Sequence, residues 1–172
     1  PEAKWGEIGT ALVNVVGIEK DDKLVQVIPV NSFDPNLLVA FVTRKGVVKR
    51  TSITEFDSQR NSGVLAIKIA KDDELIRVML CIDEPDNSNT GAADEVQSAG
   101  DGVEATVTDE GSAQGQFMVI TREGMCIRFN ASSVSRQGRS AGGVRAIKLY
   151  PKDRVVDAIW LADPSESELA TI

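Results

Sequence analysis

One stretch of this chain occurs twice. Leu38 to Arg50 returns as Phe117 to Arg128, and Thr43, Arg44, Gly46 and Arg50 meet Thr121, Arg122, Gly124 and Arg128 at a single offset of 78. The copies run on in parallel, with Gly63 to Ile69 matching Gly143 to Leu149 at an offset of 80. A third, partial copy precedes them: Val13, Val16, Ile18, Lys20, Asp21, Asp22, Leu24 and Val27 fall 51 positions before Val64, Ile67, Ile69, Lys71, Asp72, Asp73, Leu75 and Val78. A unit recurring about every 50 residues buries its apolar face against its neighbours. Few architectures remain open to such a chain, among them propeller blades and similar arrays.

Within each unit the apolar pattern is that of strands. Leu12 to Ile18 and Leu24 to Val30 read as two strands around a polar Lys20–Lys23 turn. Residues 37–43 and 47–53 read as a hairpin closed by Arg44-Lys45-Gly46, where the glycine suits the left-handed position of a three-residue loop. Residues 64–70 and 75–82 complete the unit. The second full copy has strands over 117–121, 125–129, 144–149 and 154–161. No long segment has a helical period, so the expected class is all-β, with antiparallel hairpins repeated as blades. The expected layout is a partial blade at 5–30, a blade at 31–82, an insert at 83–116, a blade at 117–162 and an acidic tail at 163–172. The insert is rich in Asp, Glu, Ser, Gly, Asn, Thr and Ala and has no aromatic residue, the composition of a segment that stays disordered.

Several chemistries are excluded by residue type. The chain has no histidine, which removes His-based acid–base catalysis, His-containing nucleophile systems and His-containing metal sites. Two cysteines, Cys81 and Cys126, cannot make a Cys-only zinc site; both lie in apolar runs and are expected to be reduced core residues. No phosphate-binding glycine motif follows a strand. Neither a catalytic residue, a metal nor a cofactor is expected in this stretch. There is no apolar run long enough to span a bilayer, and the polar opening Pro1 to Trp5 is not expected to act as a secretory leader. The chain opens without a methionine and reads as a piece of something larger.

The net charge of -7 conceals an uneven distribution. Residues 82–116 hold nine acids and no base, and the residues after 162 hold three acids and no base. The remaining body has 14 acids against 19 bases, a net of +5. Bases concentrate first in Arg44, Lys45, Lys49 and Arg50, at a hairpin tip and along its returning strand, and recur as Arg122 and Arg128. Arg136, Arg139 and Arg145 alternate with glycines and small residues in the second copy, where the first copy has only Arg60. Such residues suit contact with a phosphate backbone, where each displaces condensed counterions. The competing readings are edge protection by lysine for the hairpin and a plain glycine-rich connection for the loop. Trp5, Trp160, Phe33, Phe41, Phe56, Phe117 and Phe129 are expected in the core rather than as base-stacking platforms, and Tyr150 is read as structural.

These motifs resemble the C-terminal domain of bacterial type IIA topoisomerase A subunits, those of gyrase and topoisomerase IV. The residues that carry the resemblance are Thr43 to Arg50, Phe56, Gly63 to Ile69 and Asp72 to Leu75, and again Thr121 to Arg128, Gly143 to Leu149 and Asp153 to Val155. Lys4 to Thr10 looks like the topoisomerase IV protein. The gyrase box Gln-Arg-Arg-Gly-Gly-Lys-Gly is absent, with Arg139 to Gly143 at best a degenerate form, and the reading leans toward topoisomerase IV. The resemblance implies a β-pinwheel, a propeller-like disc with a basic rim. It also implies that the chain binds and bends double-stranded DNA and presents it to the catalytic core. The implied partners are the remainder of the topoisomerase A subunit, together with its ATPase B subunit. The implied location is the bacterial cytoplasm, at the chromosome. The catalytic tyrosine and ATP site then belong elsewhere in an ATP-dependent parent enzyme. Arg44, Lys45, Lys49, Arg50, Arg60, Arg122, Arg128, Arg136, Arg139 and Arg145 are the expected phosphate contacts. The acidic insert is expected to fold back over the rim and compete with DNA. From a different class, the alternative is a propeller-like protein-interaction module in which the hairpins are scaffold.

Overall fold

The computed structural model describes residues 4–11, 14, 17–18, 22–60, 63–82 and 115–162. Of the expected first strand (12–18) only residues 14 and 17–18 are described, none of them in a strand; the acidic insert apart from its last two residues and the acidic tail lie outside the described residues.

The described chain is all-β apart from short 3-10 turns. The first repeat contributes β1 (Leu37–Thr43), β2 (Val47–Ser52) and β3 (Leu75–Ile82). The second contributes β4 (Gln116–Thr121), β5 (Cys126–Asn130), β6 (Val144–Arg145) and β7 (Val155–Leu161). Two antiparallel sheets result, in the orders β3-β1-β2-β6 and β5-β4-β7. β6 therefore leaves its own repeat and joins the edge of the other, pairing Val47 with Arg145 and Val48 with Val144. An edge strand presents unpaired N–H and C=O groups, and on β2 this short strand covers them.

Each repeat is built on the same turn. Thr43 Oγ1 accepts the N–H of Val47 at 3.2 Å and Gly46 N–H bonds Thr43 O at 3.0 Å, with Gly46 at φ +80°. Thr121 Oγ1 accepts Met125 N–H at 3.2 Å, Gly124 N–H bonds Thr121 O at 3.2 Å, and Gly124 has φ +81°. The repeated threonine and glycine thus have a purely local reason: one closes the loop and the other tolerates its left-handed residue.

Alternation along β1 sends Leu38, Ala40 and Val42 to one face and Val39 and Phe41 to the other. The first face packs on the second sheet, with Phe117, Val119, Ala131, Val155 and Ala158. The other packs on Ile53 and Ile67, with Phe56 tilted 48° to Phe41 at 6.0 Å. With both faces covered, β1 reads as a continuous apolar run.

Several sequence expectations fail here. Residues 22–30 form no strand, and Leu24, Val27 and Val30 are exposed. Residues 64–70 form no strand, and the expected 144–149 strand shrinks to two residues. Cys81 is buried but Cys126 is exposed, and neither is in a disulfide. Cys126 occupies the place that Val48 holds in the first repeat; Val48 is covered by the second repeat, whereas no described segment covers Cys126. Trp5 (103 %) and Phe33 (43 %) are exposed rather than core, while Phe41 and Phe117 are buried and Phe56, Phe129 and Trp160 half-buried.

Candidate nucleic-acid interface

The ten bases expected to meet phosphate fall into three groups. Lys49 and Arg50 are not at the surface. Lys49 is 0 % exposed; its Nζ donates to Ala66 O at 2.7 Å and Arg139 O at 2.6 Å, and lies 5.7 Å from the centre of the Phe41 ring. Burial pushes its pKa below the ordinary lysine value, against the opposing field of Glu55. Arg50 is 6 % exposed and its Nε donates to Val134 O at 2.7 Å. Each side chain reaches from the first repeat to a carbonyl of the second, so their charge ties repeats together. Strand alternation does send Lys49 and Arg50 apart, but it did not show that neighbouring chain covers both sides.

The second group is the first hairpin tip, where the bases meet acids from the adjoining turn. Arg44 Nη1 pairs with Glu74 Oε1 at 2.9 Å, and Lys45 pairs with Asp72. The hydrogen bond from Lys45 holds the Asp72 carboxyl below the usual carboxylate range. Asp73 Oδ1 accepts the N–H groups of Lys45 (2.9 Å) and Glu74 (2.8 Å), which fastens tip to turn.

The third group is exposed. Arg60, Arg122, Arg128, Arg136 and Arg145 face solvent, and Arg139 is half-buried. Arg136 and Arg139 sit on a loop that the first repeat holds in place. Gln137 N–H bonds Arg50 O at 2.9 Å, Arg139 N–H bonds Glu55 Oε2 at 3.1 Å, and Arg136 Nη2 reaches Pro35 O at 3.2 Å. Gly143, at φ +87°, ends this loop; a Cβ there would stand 2.7 Å from Val48 O, so the close approach of β6 to β2 requires glycine. Arg60 and Arg139 line an open cleft of about 390 Å³ between the two connections, with Glu55, Leu65 and Gly138.

Three further bases of the second repeat are exposed and were not among the ten: Lys148, Lys152 and Arg154. Lys152 and Arg154 stand where the first repeat has Asp72 and Glu74. Aligning the two turns residue by residue would have found them. Among the described residues, no acid pairs with Arg122, Arg128, Arg145, Lys148, Lys152 or Arg154. Residues 117–162 hold eight bases and three acids, a net of +5, against eight and six over 31–82. Since residues 1–30 carry three bases and five acids, the basic excess of the body equals that of the second repeat.

The frame of the second tip repeats that of the first. Asp153 Oδ1 accepts Glu123 N–H at 3.1 Å and Arg154 N–H at 2.7 Å. Burial works against ionisation of Asp153, but the Thr121 hydroxyl and the backbone N–H groups of Arg154, Glu123 and Arg122 outweigh it and lower its pKa.

Comparison with known proteins agrees with this architecture. The family model "DNA gyrase C-terminal domain, beta-propeller" matches residues 1–31, 38–82 and 115–159. The DNA gyrase A protein of Campylobacter fetus is 33% identical over 178 residues, covering 99% of this chain and 20% of that protein. Its Escherichia coli (strain K12) counterpart is 34% identical over 159 residues, covering 92% of this chain and 15% of that one. The chain thus spans a fifth or less of these two relatives. The crystal structure of the C-terminal domain of DNA topoisomerase IV superposes with TM-score 0.68 at 25% identity, over 94% of this chain and 41% of that one. The DNA gyrase A C-terminal domain superposes with TM-score 0.63 at 14% identity, over 88% and 40%, a likeness of fold. Both gyrase and topoisomerase IV thus stand among its relatives. With a strand of the second repeat completing the sheet of the first and the family model matching residues 1–31, 38–82 and 115–159, this chain belongs to the DNA gyrase C-terminal domain, beta-propeller family.

Proposed function

We propose that this chain is the DNA-binding and DNA-bending part of a bacterial type II topoisomerase A subunit, acting in the cytoplasm at the chromosome. It presents a duplex segment to a catalytic core carried by the rest of that polypeptide together with its ATPase partner. It needs no cofactor of its own. The observation that carries the reading is the exposed set Arg122, Arg128, Arg145, Lys148, Lys152 and Arg154, none of them paired with an acid among the described residues, on one repeat of a gyrase-family fold. Such a surface meets phosphates without reading bases, so affinity is sequence-tolerant and salt-dependent. Of the ten bases first expected, Arg60, Arg122, Arg128, Arg136, Arg139 and Arg145 are the ones we assign to DNA. The acidic insert competing for the rim is a second part of the proposal; deleting 83–114 is expected to raise affinity, and unchanged affinity would remove it.

The test is affinity for a random-sequence duplex as a function of salt. A steep inverse dependence, similar across sequences, supports DNA binding; flat or absent binding favours the protein-interaction alternative.

A further inference from the structure

The two hairpin tips share a backbone and differ in where their anions come from. Arg44 N–H bonds Glu74 O at 2.8 Å, and Arg122 N–H bonds Arg154 O at 2.9 Å, so the residue pairs 44/74 and 122/154 occupy the same place in each repeat. In the first, the side chains close an ion pair at 2.9 Å. In the second, arginine replaces the acid, so two exposed arginines joined through their backbones share this place, with no acid among the described residues paired with either. Like charges placed together are unfavourable unless an anion comes between them. Lys152, in the place of Asp72, adds a third positive charge at φ +72°. The acids nearby are Glu123, which is exposed, and Asp153, whose Oδ1 is occupied by two backbone N–H groups.

We propose that Arg122 and Arg154 form a phosphate-binding pair that takes a DNA backbone phosphate at the position where the first repeat supplies the Glu74 carboxylate. This rests on the DNA-binding reading above. Arginine forks match phosphate oxygens as they match carboxylates, so an external phosphate can replace the internal acid. The position stays reachable when a neighbouring repeat docks. Val155 N–H bonds Arg44 O at 2.9 Å, so the second repeat sits against the first tip, yet the Glu74 side chain keeps 48% of its exposure.

The experiment uses the whole chain and a random-sequence duplex, with binding measured from 50 to 200 mM salt. R154E installs the acid of the first repeat. It is expected to reduce the log–log salt slope by about 0.9, which is roughly a 3.5-fold smaller loss of affinity across that range, and to weaken binding at low salt. E74R, which opens the first tip in the same way, is expected to steepen the slope by a similar amount. K4E makes the same change of net charge at an exposed residue outside both repeats and is expected to leave the slope alone. If the parent binds steeply and R154E matches it, or K4E weakens binding as much as R154E, the phosphate pair is overturned while the DNA-binding reading stands. If the parent shows no salt-dependent binding, both fall together.

Discussion

The first and second repeats are built from the same hairpin, threonine, left-handed glycine and aspartate-capped turn, yet their charges serve different ends. In the first, the four bases of the hairpin are engaged internally: Lys49 and Arg50 donate to carbonyls across the repeat boundary, and Arg44 and Lys45 pair with Glu74 and Asp72. In the second, the corresponding positions are Ile127, Arg128, Arg122 and Glu123, facing Arg154 and Lys152, and the bases stay open to solvent. Motif identity is therefore a poor guide to charge availability. What separates the repeats is the company each position keeps.

The sharpest way to break this contrast is to remove the buried lysine. K49M leaves the carbonyls of Ala66 and Arg139 without their donor and is expected to lower stability by about 2–3 kcal/mol, read by chemical denaturation. A loss under about 0.5 kcal/mol would mean that Lys49 does not tie the repeats. Next is G143A against G63A. Both glycines have positive φ, but a Cβ at 143 meets Val48 O whereas at 63 it meets open space. G143A is expected to cost about 3 kcal/mol and G63A about 1 kcal/mol, and equal losses would contradict the close approach of β6 to β2.

R50M against R128M sharpens the same comparison between stability and binding. R50M is expected to lose about 2 kcal/mol of stability. R128M should stay within about 0.5 kcal/mol and instead reduce the salt slope of DNA binding by about 0.9. The smallest effect is in pH. Because the folded Asp153 pKa is lowered, its stabilising contribution is present above the ordinary value of 3.8 and is lost as pH falls below it through the folded pKa. D153N should therefore flatten the acid limb of the stability curve. Lys49 has its effect in the alkaline range: its lowered folded pKa makes stability rise with pH as the solution passes from that pKa toward 10.5, and K49M should remove this rise.

Much of the fold was legible. The repeat offsets, the Thr43–Gly46 and Thr121–Gly124 turns and the hairpin strands could be read because each depends on nearby residues and on periodicity. The site was legible only in part. Lys152 and Arg154 were hidden because they lie outside the stretches where bases are dense and are informative only through the acids they replace. Lys49 and Arg50 looked like surface charge because a strand pattern shows which way a side chain points but not what lies over it.

The sequence by itself determined that the chain is built from recurring β hairpins, with a basic body masked by acidic segments, because spacing and composition are properties of the order of residues alone. Only the tertiary structure decided which bases reach solvent. β6 crosses to the edge of β2 and draws the 134–143 loop over the first repeat, and that long-range pairing converts two cations into internal hydrogen-bond donors while leaving their counterparts, or their neighbours, exposed. Burial depends on contacts between residues some 90 positions apart, such as Lys49 and Arg139, and no local pattern carries that information.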